Sequence, residues 1–451
     1  MKQIVITLPE KVKMIIDTLQ SHGFEAYAVG GCVRDSILGR KPEDWDITTS
    51  AMPEETKSLF KKTIDTGIEH GTVTVMIGRE GFEVTTYRID GEYEDSRHPK
   101  EVRFTRNLHE DLLRRDFTIN AMAYNGREGL QDIFGGLKDL ESGIICCVGD
   151  AEERFSEDAL RILRAVRFSA QLGFEIEEET CRAIKKLAPT LSKISAERIQ
   201  TELVKLLVSP HPELIKTAWE LGVTKVILPE FDRMMQTEQE TPHHMYNVGI
   251  HTVAALENIR ADKILRLTML FHDMGKPEYK TMDEYGTAHF KKHAIGSEKI
   301  AKDVMKRLKF DNDTTKKVLK LVLYHDYRMP ADGKCVRHAI YKISKELFPY
   351  YLEIRMADTM AQSTYLREEK IKNINEVRKR FEDIVEKGEC TSLKEMAVSG
   401  KDLIQSGIRP GKQMGEILQE LLLETLDDPE KNTKEYLVSR AMEIEKKGCG
   451  M

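Results

Sequence analysis

Near residue 150 the sequence changes its period. Before that point short β-branched and aromatic stretches alternate with helical ones. Val12, Ile15, Ile16 and Leu19 recur at helical spacing across residues 8–22, and Tyr27-Ala28-Val29 runs into Gly30-Gly31 and a helix-like stretch to Leu38. Trp45–Thr48, Thr72–Ile77 and Phe82–Tyr87 read as strands, the last two joined by a hairpin-type turn around Gly78–Gly81. From Glu152 onward strands almost vanish. Segments 157–172, 178–188 and 195–208 are helical by period, broken at Gly173 and at the Pro210–Pro212 pair.

A histidine-bearing helical block then covers residues 243–365, a charged segment covers 366–386, and a last helical piece begins near Ser399. A chain of 451 residues exceeds the size at which one hydrophobic core keeps growing. The expected fold is therefore multidomain: an α+β head with a small mixed sheet and helices (1–148), then an all-α neck (149–208), body (209–365) and tail (366–451).

Composition narrows the class. The 40% apolar content with few aromatics fits a folded, mostly helical protein, and no apolar run reaches the roughly 20 residues that span a bilayer. The N-terminal stretch MKQIVITLPEKVKMIIDTLQ has charges inside its apolar part and no small-residue cleavage site, unlike a signal peptide. Seven scattered cysteines, with no CxxC pair, suit a reducing cytoplasm. The net charge of −6 decides nothing about nucleic acid, because basic residues cluster locally at Arg97–Arg106, Arg114–Arg115 and Arg161–Arg167.

The segment AYAVGGCVRDSILGRKPEDWDITTS carries the sharpest chemistry. Gly30-Gly31 after a strand lets the backbone approach a phosphate closely, and Arg34, one turn on, can fork onto triphosphate oxygens. Asp44 and Asp46 follow about 14 residues later. On a strand, residues i and i+2 point to one face, so these carboxylates converge, an arrangement that makes most sense around divalent cations. Two such ions can activate an attacking hydroxyl and stabilise the leaving oxygen of an in-line displacement. Glu83, on a strand, is either a third acid near the site or a surface glutamate.

Two further segments follow. RRDFTINAMAYN (Arg114–Asn125) sets two arginines, an acid and an amide before an expected helix, which on local grounds makes Asp116 an N-cap. In SEDALRILRAVRF (Ser156–Phe168), Asp158 and Arg161 are three residues apart and share a helix face. Such a pair is ordinarily a surface ion pair, but an acceptor beside a donor also matches a Watson–Crick edge. Cytosine offers N4–H to Asp158 and N3 and O2 to Arg161, and adenine offers N6–H and N1. Uracil and guanine present an oxygen where the acid needs a donor.

GGCVRD, the DxD and the later motifs resemble the class II CCA-adding enzymes, members of the polymerase-beta-type nucleotidyltransferase superfamily. The resemblance implies that Asp44 and Asp46 are catalytic and hold two Mg²⁺ ions, with Gly30 and Arg34 on the nucleotide's phosphates. It implies that Asp116 and Asn120 bind the ribose, Asp116 through the 2′-hydroxyl. Glu157, Asp158 and Arg161 match the family's EDxxR. The implied nucleotide-binding set is thus Gly30, Gly31, Arg34, Arg115, Asp116, Asn120, Asp158, Arg161 and Arg164, and the implied partners are tRNA, CTP and ATP. Asp90–Leu112 reads as a mobile loop similar to the family's flexible loop, with Arg97 an RNA-binding candidate and His98 where many relatives carry a second arginine. AERIQTELVKLL (Ala196–Leu207) resembles the next family motif and is expected to be structural. The tail, from Ser399, resembles the part that grips the tRNA elbow and offers Lys401, Arg409 and Lys412 to phosphates.

A third constellation lies in the body: His251, His272-Asp273, His293, His325 and Asp358, each on a helical segment. Mixed imidazole and carboxylate ligands suit Mn²⁺, Fe, Ni²⁺ or Zn²⁺. The block resembles the HD phosphohydrolase superfamily. The resemblance implies a primary site of His251, His272, Asp273 and Asp358, with His293 and His325 completing a second site or touching substrate phosphate. Implied substrates are phosphomonoesters or cyclic phosphates at RNA ends. Rival readings are a bacterial poly(A) polymerase, which typically carries a GRRF-like basic stretch absent from KKTIDTGIEHGTVTVMIG, an enzyme adding only the terminal A, and an HD hydrolase with a non-catalytic RNA-binding front half.

Overall fold

The computed structural model describes residues 4–90, 102–243 and 245–448. Arg97 and His98 lie outside them. The chain divides into two compact units, Met1–Pro229 and Glu230–Met451. No helix among the described residues is long and apolar enough to cross a membrane.

In the first unit the head strands are β1 (Ala26–Val29), β2 (Ile47–Thr49), β3 (Thr63–Gly67), β4 (Thr72–Ile77), β5 (Glu80–Thr86), β6 (Arg88–Asp90), β7 (Val102–Phe104), β8 (Met122–Asn125) and β9 (Gly129–Asp132), and a short parallel pair, Ile144–Ile145 with Glu175–Ile176, follows them. Among the described residues seven of these form one sheet in the order β3-β4-β5-β2-β1-β8-β9, and β6 pairs with β7. The sheet is mixed: β2 and β5 run parallel, with Ile47 opposite Val84, while β1 lies antiparallel to both β2 and β8. β1 is buried at all four positions, as a central strand covered on both faces must be. The helix Glu10–Ser21 buries Val12, Ile15, Ile16 and Leu19, the stripe expected from their spacing.

Three local expectations are corrected. Asp44 and Trp45 precede β2 rather than lying on it, and only the carbonyl of Asp46 joins the ladder, accepting from the Val29 amide at 3.0 Å. The segment after Asp116 is not a helix: a single 3₁₀ turn, Thr118–Asn120, leads straight into β8, and Asp116 accepts from its neighbour Phe117 instead of capping. The expected helix 157–172 is two helices, Ala151–Glu157 and Leu160–Leu172, separated by Asp158 in extended conformation (φ −136°, ψ 102°). The Asp158 carboxylate accepts from the Leu160 amide at 2.9 Å, so this residue restarts the chain as a helix.

The second unit is helical apart from a two-stranded hairpin, Thr281–Met282 with Ala288–His289. The helices Val248–Glu257, Lys263–Phe271, His293–Arg307, Asn312–Tyr324 and Phe348–Ala361 carry the histidine block, and the charged stretch after it is itself a helix, Arg367–Glu386. Beyond it Ser399 and Asp402 cap the next helix reciprocally, and Leu403, Leu421, Leu422, Leu426 and Leu437 form a separate apolar cluster. A mixed α/β head followed by a mostly helical remainder is thus the architecture.

Candidate functional site

Two polar constellations stand out, one in each unit. In the first, Gly30 ends β1 with φ 82°, a left-handed conformation that side chains resist. A Cβ there would lie 3.2 Å from Nη1 of Arg115. At Gly31 a Cβ would meet only Nη2 of Arg34, at 3.6 Å, so the protein itself does not demand the second glycine.

Arg34, on the helix Gly31–Ile37, is buried and begins a chain of contacts. It donates to both oxygens of Asp35 (2.9 and 3.0 Å) and, through Nη1, to Oδ1 of Asn120 at 2.6 Å. Asn120 donates to Asp116 at 3.1 Å, and the other Asp116 oxygen accepts from Nε of Arg164 at 2.7 Å. Burial alone would raise the Asp116 carboxyl, but Arg164, the Asn120 amide and Arg161 outweigh it and bring the pKa down to about 2. The guanidinium groups of Arg34, Arg164 and Arg167 also gather around the ring of Phe168, at 5.1, 5.3 and 3.8 Å from its centroid.

A group of acids adjoins Arg115. Asp46 has its carboxyl raised by desolvation and by Asp44, with Arg115 pulling the other way. Glu83 is raised by desolvation and by both aspartates. Its position follows from register: Val84 faces Ile47 across the parallel β2–β5 pair, so the residue before each is also a neighbour. Three mutually repelling carboxylates are a donor set that fits a hard divalent cation. Arg115 is steered by Asp111, a fully buried acid that also takes Nε and Nη2 of Arg114 (3.0 and 2.7 Å) and the Thr48 hydroxyl (3.0 Å). Sequence reasoning missed Asp111; its i,i+3 and i,i+4 spacing to two arginines was the available signal.

Asp158 and Arg161 are joined through the backbone, the Arg161 amide donating to the Asp158 carbonyl at 3.0 Å. Asp158 is held by Nη2 of Arg198 at 2.8 Å. Arg161 donates to Glu157 (2.7 Å) and to the carbonyls of Arg154 and Arg114. Arg198 sits on the helix Ala196–Leu207, where Glu202 forms a second buried pair with Arg167 at 2.6 Å. That segment, expected to be structural, therefore contributes charge directly to the residues beside it.

In the second unit all six expected ligands come together. His272, His293 and His325 use one local device. Each is at a helix end, and its Nδ1 donates to the carbonyl three residues earlier: Met269 (2.6 Å), Phe290 (2.8 Å) and Val322 (2.7 Å). A carbonyl only accepts, so Nδ1 carries the proton in each of these bonds and Nε2 is turned toward the centre of the cluster. The Nε2 atoms converge on Asp273, at 3.2 Å from His272, 3.3 Å from His293 and 3.6 Å from His325. His251 lies 3.0 Å from Asp358 and 3.6 Å from Asp273. Burial would raise both carboxyls, but the histidines, with Lys276 on Asp273, hold them well below the usual range. His251, His272 and Asp273 form one group able to hold a cation, and Asp273, His293 and His325 another. Asp273, His293, His325 and Asp358 line a cavity of about 340 Å³ whose other walls include Lys276, Lys291, Lys292 and Arg328. In the tail, Lys401, Arg409 and Lys412 are exposed.

Comparison with known proteins follows the same division. Residues 26–146 match the family described as the poly A polymerase head domain, 173–235 a probable RNA- and SrmB-binding site of polymerase A, and 289–441 the putative domain 2 of tRNA nucleotidyltransferases. The crystal structure of the Bacillus stearothermophilus CCA-adding enzyme in complex with CTP aligns over 98% of this chain and 99% of its own, with a TM-score of 0.70 at 30% identity. The Thermotoga maritima CCA-adding enzyme, complexed with tRNA, shares the fold at 22% identity, with a TM-score of 0.60 over 97% and 96% of the two chains. The CCA-adding enzyme of Ligilactobacillus salivarius is 38% identical over 447 residues, 98% of each chain. The chain belongs to the family of CCA-adding enzymes.

Proposed function

We propose that this chain adds C, C and A to the 3′ end of tRNA without a template, using CTP and ATP. The observation that carries the proposal is that Gly30 joins two groups: Arg115, which packs against it and acts on the acid Asp46 beside Asp44 and Glu83, and the Arg34–Asn120–Asp116–Arg164 network, which begins on the helix that Gly30 opens. In the transfer, the tRNA 3′-hydroxyl attacks the α-phosphorus of the nucleotide and pyrophosphate leaves. Two Mg²⁺ ions held by Asp44 and Asp46 would supply activation of that hydroxyl and neutralisation of the leaving group. Arg34 and the backbone at Gly30-Gly31 receive the phosphates. Asp116 and Asn120 hold the ribose, and an Asp116 carboxylate kept ionised at every working pH accepts from a 2′-hydroxyl. Asp158 and Arg161 read the base edge. Asp158 retains acceptor capacity for an N4 or N6 amino group beyond the Leu160 amide and Arg198, because a carboxylate offers about four lone-pair sites. Arg115 completes the nucleotide contacts, and Lys401, Arg409 and Lys412 meet tRNA phosphates.

The four segments 1–148, 149–208, 209–365 and 366–451 are then a catalytic head, a base-reading neck, a body and a tRNA-gripping tail. Full-length likeness to CCA-adding enzymes, rather than to the head alone, favours this over a poly(A) polymerase. Free thiols at all cysteines among the described residues suit a cytoplasmic setting. For the body we propose an HD-type phosphohydrolase in which His251, His272, Asp273 and Asp358, with His293 and His325, bind a transition metal such as Mn²⁺, Fe, Ni²⁺ or Zn²⁺. The basic wall of Lys291, Lys292 and Arg328 suits a phosphoryl group at an RNA end.

The test is Asp44→Ala. It is expected to abolish incorporation of labelled CTP and ATP into tRNA, and a fully active variant would sink the metal-carboxylate mechanism.

A further inference from the structure

The two carboxylates of the histidine cluster are supported differently. Asp273 meets a cation directly, with Lys276 Nζ 2.7 Å from its Oδ2. Asp358 meets none. Instead the side-chain amide of Gln362 lies against it, Nε2 being 3.1 Å from both Oδ1 and Oδ2. The opposite end of that amide, Oε1, accepts from Nζ of Lys370 at 2.7 Å. Gln362 is buried, 6% exposed, and stands four residues after Asp358, where the helix Phe348–Ala361 ends.

The chemistry of the three groups fixes the amide's orientation. A carboxylate only accepts and an ammonium only donates, so turning the amide over would place oxygen against oxygen and N–H against N–H. The relay therefore runs one way, from Lys370 through Gln362 to Asp358. Its outer end is also pinned. Lys370 reaches Nδ1 of His243 at 3.3 Å, and the helix Arg367–Glu386 is tied to Gln362 a second time by Arg367, which donates to the Gln362 carbonyl. Next to Gln362, Ser363 is fastened to the 242–243 segment by its amide, on the His243 carbonyl (2.9 Å), and by its hydroxyl, on the Pro242 carbonyl (2.6 Å).

We infer that Gln362 is a positioning residue for Asp358, and that Lys370 acts on the metal cluster only through it. The inference rests on the metal reading of the cluster proposed above. A lysine placed directly on Asp358 would compete with an incoming cation for the same oxygens. A neutral amide between them holds the carboxylate in one rotamer, polarised by the lysine, and leaves lone pairs for the ligand position. Partners of this kind outside the ligand sphere typically set metal affinity by about 10- to 100-fold.

The test uses Co²⁺, whose d–d absorption reports coordination, titrated into the full-length protein. Gln362→Leu keeps the side chain's bulk and removes the hydrogen bonds at both ends of the amide. It is expected to weaken Co²⁺ binding by about 10-fold or more and to alter the absorption bands. Lys370→Met is expected to weaken binding less, and the double variant is expected to bind no more weakly than Gln362→Leu alone, since one residue acts through the other. The melting temperature of each metal-free variant reports whether the fold persists, and if Gln362→Leu does not fold, Lys370→Met carries the test. A Gln362→Leu protein that binds like wild type with unchanged spectra overturns the positioning role. Additive losses in the double variant overturn the relay. A wild-type protein that binds no Co²⁺ overturns the metal reading itself and this inference with it.

Discussion

The carboxylate of Asp158 is gripped by Arg198, 40 residues away in the chain, at 2.8 Å. The partner that orients the acid proposed to read the base thus comes from another helix, and Arg161 is held by Glu157. Removing Arg198 takes a charge-assisted bond from the Asp158 carboxylate and leaves it the bond from the Leu160 amide. Arg198→Ala is expected to lower CTP and ATP incorporation by about 10-fold or more, the cost of one lost charge-assisted hydrogen bond, and to narrow the margin against UTP and GTP. Single-nucleotide incorporation kinetics with all four NTPs measure both, and an unchanged discrimination ratio would contradict the orienting role.

Asp116 gives the protein a definite acid sensitivity. Its folded pKa of about 2 lies below the ordinary carboxylate value of 3.8, so its stabilising contribution is present above that ordinary value and is lost as pH falls through the folded one. The window is therefore about pH 4 down to about 2, and the contribution is of the order of 2 kcal/mol. Asp116→Asn should remove that part of the pH dependence, as read from denaturant midpoints across the window. A wild type and variant with parallel pH profiles would contradict it.

Asp46 and Glu83 carry the opposite sign. Their folded carboxyls are raised by desolvation and mutual repulsion, so ionising them costs the folded state. The penalty is absent at low pH, grows as pH rises through the unfolded values, and is full above the folded ones. Mg²⁺ is expected to stabilise the protein near neutral pH and to lose that effect as the acids protonate. Glu83→Gln should stabilise the magnesium-free protein while weakening Mg²⁺ binding in calorimetric titration. A variant that leaves both quantities unchanged would remove Glu83 from the metal site.

What could be read from the sequence was whatever declares itself locally. The helix Glu10–Ser21 and the strand Thr72–Ile77 follow from the spacing of their apolar residues. The change from a mixed sheet to helices near residue 150 was visible for the same reason. The break at Asp158 was hidden because Ser156–Phe168 keeps a helical period straight through it, and one acid bonding to the amide two residues on leaves no mark on periodicity. Met122–Asn125 was misread because a short apolar run does not by itself distinguish strand from helix; its pairing with β1 decided the matter. Arg198 went unseen as a site residue because its partner Asp158 is set by tertiary contact, and the Asp111 bond to the Thr48 hydroxyl likewise exists only in the folded chain. The histidines were visible as residues, whereas the carbonyl bond that turns each Nε2 inward exists only in the folded chain.

The central claim is tested most directly by product sequencing. The purified protein is incubated with tRNA ending at the discriminator base, at –C and at –CC, each with CTP or ATP alone, and the 3′ ends are sequenced. The account predicts that CTP completes –CC on the first two substrates and stops, and that ATP adds a single A to the third. Runs of A, addition of A alone whatever the preceding end, or no extension of any substrate would contradict it.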